Sequence, residues 1–267
     1  MSRTLGRLCT LAAVLANSIT AGTANATHSW NGYHWARSAN PFTVTFGNNL
    51  TPDWSPYLVT GAADWGVTSG RCNNPSNPVR GAVAAGGASS RNCRPPTGRV
   101  EVCNASYGNN GWLGIATIWV SGSHITKGSV KVNDYYMNSP PYNTTAWHSA
   151  VMDQEMGHTL GLAHQDENFN NADLLDACGR GSCMDYSADP SNNTTPNQHD
   201  YDELVIIYSH LDGAAAVSSP TASEAAGDLD SPNGWGRAVS YANGRPVVFE
   251  QDLGGGNKMV TYVLWAQ

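Results

Sequence analysis

The chain has 267 residues, with 14 Lys and Arg against 21 Asp and Glu, and a formal net charge of −7 at pH 7. An acidic chain of this kind has no electrostatic reason to bind nucleic acid or an anionic membrane surface, so we expect neither partner. Its length suits one domain with a sizeable core and a small extension.

The first 26 residues have the composition of a secretory signal peptide. Arg3 and Arg7 give a basic start, residues 8–20 form a short apolar run, and residues 24–26 resemble a cleavage site. The run is too short to cross a bilayer. Removal of the signal peptide takes away two basic residues and no acidic residue. The mature chain then has 12 basic against 21 acidic residues, and a net charge of about −9. We therefore expect a secreted, extracellular mature protein that begins at Thr27, and the sequence leaves its oligomeric state open.

The segment after the signal peptide reads as one helix among several strands. Apolar residues and polar residues alternate over 42–46, which predicts a half-buried strand, and aromatic residues at helical spacing predict a helix over 53–69. A long polar loop follows, with one strand inside it and further strands beyond it. The predicted strands are 79–85, 99–103, 114–120 and 129–133, the last two being separate strands or one bent edge strand.

A central helix is predicted to begin near residues 143–145, which offer N-caps, and to end at Gly161. Glycine readily takes the left-handed conformation that follows a helix C-terminus. Trp147, Gln154 and His158 lie on one face of this helix by their spacing.

The C-terminal third predicts a last helix, a linker and a β-hairpin. Residues 200–211 carry an apolar stripe, residues 214–230 are rich in Ala, Ser and Pro, and residues 245–265 contain two apolar runs around a Gly-Gly-Gly turn. An isolated hairpin is barely stable, so we expect it to pack on the main domain or on a partner. The division is then a signal peptide (1–26), a main domain (27–213), a linker (214–230) and a hairpin extension (231–267), in a mixed α/β (α+β) fold.

The central helix carries a group of metal-ligand and acid–base side chains, in the segment Q-E-M-G-H-T-L-G-L-A-H over residues 154–164. Two ligands at i and i+4 point the same way and can hold one ion, as Gln154 and His158 do. A turn at Gly161 lets His164 approach as a third protein ligand, which leaves the open position that a catalytic zinc requires. Glu155 flanks this site and is placed to act as a general base.

This segment resembles the active site of the metzincin clan of zinc endopeptidases, and the matrixin-like group most closely. Residues 182–186 resemble the clan's Met-turn, in which Met184 would lie beneath the metal and Tyr186 would match a ligand or a transition-state donor. The resemblance implies a twisted mixed sheet with an active-site helix and a C-terminal helix. It also implies zinc as cofactor and a protein or peptide substrate. It covers residues 42–211 in outline, and it is specific only at the motif and at Met184.

Position 154 departs from the clan pattern H-E-x-x-H-x-x-G-x-x-H because it carries Gln where the first His is expected. A neutral amide oxygen is a weaker zinc ligand than imidazole. Four outcomes stay open. Gln154 binds the metal through its carbonyl oxygen, or His148, Asp166 or Tyr186 supplies the missing ligand, or a harder divalent metal such as manganese takes the site, or no metal binds.

The leading hypothesis is a secreted zinc metalloendopeptidase in which the metal activates a water molecule and Glu155 takes its proton. The alternatives are a non-catalytic secreted binding protein on the same scaffold and a metal hydrolase of a non-peptide substrate. Residues 166–173 are rich in oxygen ligands and offer a calcium site, although they lack the glycine and terminal glutamate of an EF-hand loop.

Six cysteines are present, and the one in the signal segment leaves an odd number in the mature chain. Oxidising conditions outside the cell favour disulfide bonds. Cys178 and Cys183 flank a glycine-rich turn and are predicted to pair, and Cys72 is predicted to join Cys93 or Cys103. A metal site built from cysteines is not expected, because no C-x-x-C pair occurs.

Overall fold

The computed structural model describes residues 28–66, 77–213 and 228–267. The predicted signal peptide, Cys72 and most of the predicted linker lie outside the described residues. Within these ranges, no helix has both the length and the apolar character that a bilayer crossing requires.

The described residues form strands and short helices that share one hydrophobic core. The strands are β1 His34–Trp35, β2 Phe42–Asn49, β3 Val79–Ala85, β4 Val100–Ala105, β5 Trp112–Ser121, β6 His124–Asn133, β7 Arg237–Ala242, β8 Arg245–Gly254 and β9 Asn257–Trp265. The helices are α1 Ser55–Trp65, α2 Asp134–Met137, α3 Thr145–Thr159, α4 Gln198–Ile207 and α5 Pro232–Trp235, with a single 3-10 turn at Pro190–Asn192.

One mixed sheet runs through the described residues in the order β3-β2-β4-β6-β5-β9-β8-β7, and β1 pairs with β6 beside this path. The strands β3, β2, β4 and β6 are parallel to one another, whereas β5, β9, β8 and β7 follow in antiparallel pairs. Helices α1 and α3 pack against each other, and they lie on the parallel part of this sheet and on β5. The predicted mixed α/β fold is therefore confirmed.

The predicted strand 79–85 has the same bounds in the structure. The helix predicted over residues 200–211 instead spans Gln198–Ile207, so it begins and ends earlier in the chain than predicted. Asn197 caps α4, and its side chain accepts hydrogen bonds from the backbone of residues 199 and 200, so the helix begins at Gln198. Arg37 holds the chain just after the end of α4. The Arg37 guanidinium donates to the carbonyl of His210, and the Arg37 carbonyl accepts a hydrogen bond from the amide of Asp212. Local pattern predicts a helix here, and these long-range contacts decide its length.

The predicted C-terminal hairpin is part of a three-stranded meander that joins the main sheet. Strand β9 pairs with β5 from Trp112↔Trp265 to Ser121↔Asn257, so the meander extends the main sheet. Sequence reasoning missed β7 and α5, because β7 is mostly half-buried and its burial does not alternate from one residue to the next. Trp235 of α5 and Tyr262 of β9 are fully buried, which places this segment within the main core.

The predicted cysteine pairings are wrong. Cys93 is bonded to Cys103, with 5.9 Å between their Cα atoms, so neither is available to Cys72. Cys178 is disulfide-bonded, whereas Cys183 is a buried free thiol. The turn between Cys178 and Cys183 carries the second residue into the core while the first stays exposed, so their closeness in sequence does not bring them together.

Candidate metal and active site

Helix α3 presents its motif side chains to the interior of the protein. Thr144 caps the helix by accepting a hydrogen bond from the amide of Trp147, at 3.2 Å. Every residue from 150 to 159 is buried, including Gln154, Glu155 and His158, which expose 3%, 0% and 1% of their surface. Polar side chains are rarely buried without a partner or a function, so this face of the helix is the candidate site.

The two motif histidines meet through their Nε2 atoms, which lie 3.0 Å apart. The Nδ1 atom of His158 donates to the carbonyl of Leu162 at 2.9 Å, and the Nδ1 atom of His164 donates to Glu167 Oε1 at 3.0 Å. In the neutral rings, both Nε2 atoms therefore carry lone pairs that face each other. Tetrahedral zinc binds imidazole at about 2.0–2.1 Å, which separates two ligand atoms by about 3.3 Å. The pair thus fits a shared metal ion.

Gly161 makes the turn that brings His164 back to the helix. Its φ of +100° lies in the left-handed region, and a Cβ atom there would come within 2.1 Å of the carbonyl oxygen of Tyr33. Only glycine satisfies both conditions at this position. The spacing between His158 and His164 therefore depends on this residue.

Met184 packs directly against the helix backbone beside His158. A Cβ atom on Gly157 would lie 2.5 Å from the sulfur of Met184, so the two residues are in close contact. The carbonyl of Met184 accepts a hydrogen bond from the amide of Gln165, next to His164, at 2.6 Å. Met184 therefore contacts α3 at the residue before His158, and its carbonyl is bonded to the residue after His164.

Glu155 is fully buried, and neither of its carboxyl oxygens has a hydrogen-bond partner among the described residues. Burial raises the pKa of this carboxyl well above its ordinary value. The side chain lies against β5 at Gly114, where a Cβ atom would come within 2.5 Å of Glu155 Oε1. An unpartnered buried carboxyl is costly, which makes Glu155 a candidate for chemistry rather than for structure.

Tyr186 lies beside the histidine pair, and Gln154 lines a small cavity together with Tyr186. The ring centroids of Tyr186 and His164 are 4.6 Å apart, and the Tyr186 hydroxyl is buried with no hydrogen-bond partner in the described ranges. Burial, and then the charges of Glu167 and Glu155, raise the pKa of Tyr186 well above its ordinary value. Gln154 and Tyr186 line a shared cavity of about 20 Å³, which has room for about one water molecule.

The other two candidate ligands lie away from the pair. His148 stacks on Trp54 at 4.4 Å, and its Nε2 atom is hydrogen-bonded to the carbonyl of Met137. It lies six residues before Gln154, about 9 Å along the helix axis. The carboxyl oxygens of Asp166 accept hydrogen bonds from residues 168 and 171 within an exposed loop.

No third His, Cys, Asp or Glu joins the motif histidines in the parts of the chain that the structure describes. An amide or a phenol is therefore the side-chain group at hand for a third protein contact. The loop 166–173 holds no set of three such groups close enough to share an ion, so no calcium site is proposed there.

Strand β9 covers the site, which the sequence pattern did not indicate. Tyr262 lies flat on the imidazole of His158, with centroids 4.2 Å apart and planes 5° apart. Leu264, two residues on and on the same face of the strand, lines the small cavity with Gln154. The stacked ring covers the face of the imidazole, and the Nε2 atom at the ring edge still points to His164.

No family model matches the chain, and no curated protein sequence does. Among solved structures, the chain is similar to myroilysin, with 13% identity, a TM-score of 0.36, and coverage of 69% of this chain and 99% of that one. It is also similar to high choriolytic enzyme 1, a hatching enzyme zinc-protease from Oryzias latipes (medaka fish), with 10% identity, a TM-score of 0.36, and coverage of 69% and 99%. At this level of similarity, the site residues themselves must carry any functional proposal.

Gly161→Ala tests the turn that positions His164, with Gly98→Ala as the matched control. Both glycines have positive φ, at +100° and +87°, but only Gly161 has an atom within 4 Å of its virtual Cβ. We expect Gly98→Ala to cost about 1–2 kcal/mol of folding free energy, for the left-handed backbone alone. Gly161→Ala should cost about 1–3 kcal/mol more, for overpacking. Urea unfolding measures both, and equal costs would mean that the turn is not constrained by Tyr33.

Proposed function

We propose that the chain is a secreted metal-dependent peptidase of metzincin type, with zinc as its metal. One observation carries the proposal. The Nε2 atoms of His158 and His164 lie 3.0 Å apart in a buried site, each ring is fixed through its Nδ1 atom, and the unpartnered carboxyl of Glu155 lies on the same helix. Imidazole pairs oriented in this way by a carbonyl and a carboxylate are typical of zinc ligands.

Each site residue has a role in this proposal. A bound zinc ion would supply Lewis acidity to the scissile carbonyl and to the attacking water. Glu155 takes the proton of that water and passes it to the leaving amine, and its low-polarity surroundings keep its pKa high enough for both steps. The Tyr186 hydroxyl has no other partner among the described residues, and it is free to donate to the oxyanion that develops.

Gln154 provides the third protein contact through its amide oxygen. Its side chain is 3% exposed and faces the cavity shared with Tyr186, so it lies within the site. An amide holds zinc less strongly than imidazole does, which predicts a weaker site than one with three histidines.

The outer edge of β5 is the natural place for an extended peptide substrate, since peptides often add to a sheet edge as an extra strand. In this structure β9 pairs with that edge, and its Tyr262 lies over His158. The structure therefore represents a closed form of the proposed enzyme. Peptide cleavage requires β9 to move away from β5.

The same observation favours a second candidate, a non-catalytic secreted binding protein on a protease-like scaffold. A permanently paired β9 would keep peptides from the β5 edge while leaving the metal in place. The two candidates differ in whether opening the site produces chelator-sensitive cleavage.

Glu155→Gln tests the general base, with Asp202→Asn as an acid-to-amide control on the exposed face of α4. We expect Glu155→Gln to keep its zinc and to lose at least about 100-fold in the rate of peptide cleavage, because the proton acceptor is gone. Asp202→Asn should match the parent. Zinc content by elemental analysis and digestion of an unfolded protein, with and without chelator, measure both properties. Equal digestion by Glu155→Gln and the parent would rule out the mechanism.

Tyr262→Leu tests the closed form, with Tyr241→Leu as its control. Tyr241 lies on β7 of the same meander but is 62% exposed, so its ring does not cover the site. We expect Tyr262→Leu to raise chelator-sensitive cleavage of a short peptide by at least about 10-fold, because each 1.4 kcal/mol of relief in opening is worth that factor. Tyr241→Leu should leave it unchanged. If Tyr262→Leu binds zinc, stays folded and cleaves nothing, the binding-protein candidate is preferred.

Gln154→His tests the third contact directly. If Gln154 is a weak ligand in an otherwise intact site, an imidazole at this position should tighten zinc binding by at least about 10-fold, with cleavage kept or increased. Competition with a chromophoric chelator measures the affinity. An unchanged affinity would place Gln154 outside the metal's coordination sphere and leave the contact to Tyr186.

A further inference from the structure

Three side chains outside the motif converge on one point, and they are two histidines and one aspartate. We propose that His34, His210 and Asp212 form a second metal site, which binds zinc through three protein ligands. This inference does not rest on the proposed peptidase function, because none of the three belongs to the motif over residues 154–164.

The fold brings these residues together from two distant parts of the chain. Strand β1 pairs in parallel with β6, which fixes His34 at the start of the chain beside His124. His210 and Asp212 follow the C-terminal end of α4, where Arg37 holds the chain through the carbonyl of His210 and the amide of Asp212. A metal ion here would join the N-terminal strand and the segment after α4.

The distances match those between the ligand atoms of one small ion. Asp212 Oδ1 lies 3.2 Å from His124 Nε2 and 3.5 Å from both His34 Nε2 and His210 Nε2. The Nε2 atoms of His34 and His210 are 3.1 Å apart. Tetrahedral zinc with ligands at about 2.0–2.1 Å requires separations of about 3.3 Å. The three separations among His34, His210 and Asp212 fall near this value, whereas His124 contacts Asp212 but lies outside the set of atoms that are all within 4.8 Å of one another.

The groups around the cluster orient its donor atoms inward. His34 Nδ1 donates to the carbonyl of Gly32 at 2.7 Å, which leaves the Nε2 atom of the neutral ring with a lone pair. The other carboxylate oxygen of Asp212 accepts from Arg37 Nη1 at 2.9 Å and from the Arg37 amide at 3.1 Å. Asp212 Oδ1 is therefore directed at the three histidines.

The arrangement has a metal-free form and a metal-bound form. Without metal, His210 Nε2 carries the proton and donates to the lone pair of His34 Nε2 at 3.1 Å. An ion between the three ligand atoms would replace this hydrogen bond with three metal–ligand bonds. Two imidazoles and one carboxylate suit zinc better than calcium or magnesium.

The cluster is also open enough to take up an ion from solution. The side chains of His34 and Asp212 are 5% and 7% exposed, whereas those of His124 and His210 are 27% and 50% exposed. The buried pair provides fixed ligands, and the more exposed His210 lies on the side from which an ion would enter. With three protein ligands, the fourth position of a tetrahedral zinc would be left to water.

The test separates this site from the motif on α3. The full chain carrying His158→Ala and His164→Ala, stripped with chelator, is titrated with zinc, and with cobalt(II) as a spectroscopic probe. We expect one tight site per chain, with the intense visible absorption of tetrahedral cobalt. Adding His210→Ala should weaken that site by at least about 100-fold, beyond the 10–100-fold typical of outer-shell changes. Adding His148→Ala, the control, should leave it unchanged.

A thermal-shift measurement gives a second readout that needs no motif variant. Zinc at about 100-fold above its dissociation constant should raise the Tm of the parent by about 5–10 °C. Parent and His210→Ala are then compared by zinc stoichiometry, which should fall by one zinc per chain whether or not the motif site also binds zinc. The proposal is overturned if the double variant binds no zinc, if His210→Ala and His148→Ala bind alike, or if cobalt gives only the weak spectrum of an octahedral ion.

Discussion

The contact between His158 and His164 is the interaction on which the site depends. Two imidazole nitrogens face each other at 3.0 Å in a region where Glu155 is fully buried and has no partner within the described residues. Such an arrangement is unfavourable for the polypeptide alone, because buried lone pairs and carboxyls lose their water without replacement. A bound cation would remove this repulsion and would give the Glu155 carboxyl a partner. The turn at Gly161 and the hydrogen bonds of both Nδ1 atoms hold the two rings in this contact.

The sheet determines whether this site can act on a peptide. Strand β5 is antiparallel to its neighbour β6, and it would form the open edge above α3 if β9 were not paired with it. The paired β9 adds Tyr262 and Leu264 to the wall of the site, which explains why the motif residues are almost completely buried. The proposed ligands thus lie on α3 and in the turn after it, whereas the C-terminal meander covers the site.

Sequence patterns predicted the elements that depend on local chemistry. The strand 79–85, the capped helix α3 and the turn at Gly161 follow from alternation, capping and glycine, which act within a few residues. The predictions that were wrong depended on contacts outside the local pattern. The disulfide joins Cys93 to Cys103, and the chain after α4 is held by Arg37. The stacking of Tyr262 on His158 and the convergence of His34 with Asp212 had no local signal, because packing between elements that are distant in sequence brings those residues together.

The most direct test of the account is a crystal structure of zinc-loaded protein with anomalous diffraction measured on both sides of the zinc absorption edge. We predict an anomalous peak about 2.0–2.1 Å from the Nε2 atoms of both His158 and His164, with Gln154 or Tyr186 as the next protein contact. The absence of a peak there, with the two histidines joined by a direct hydrogen bond in zinc-saturated crystals, would contradict the central claim.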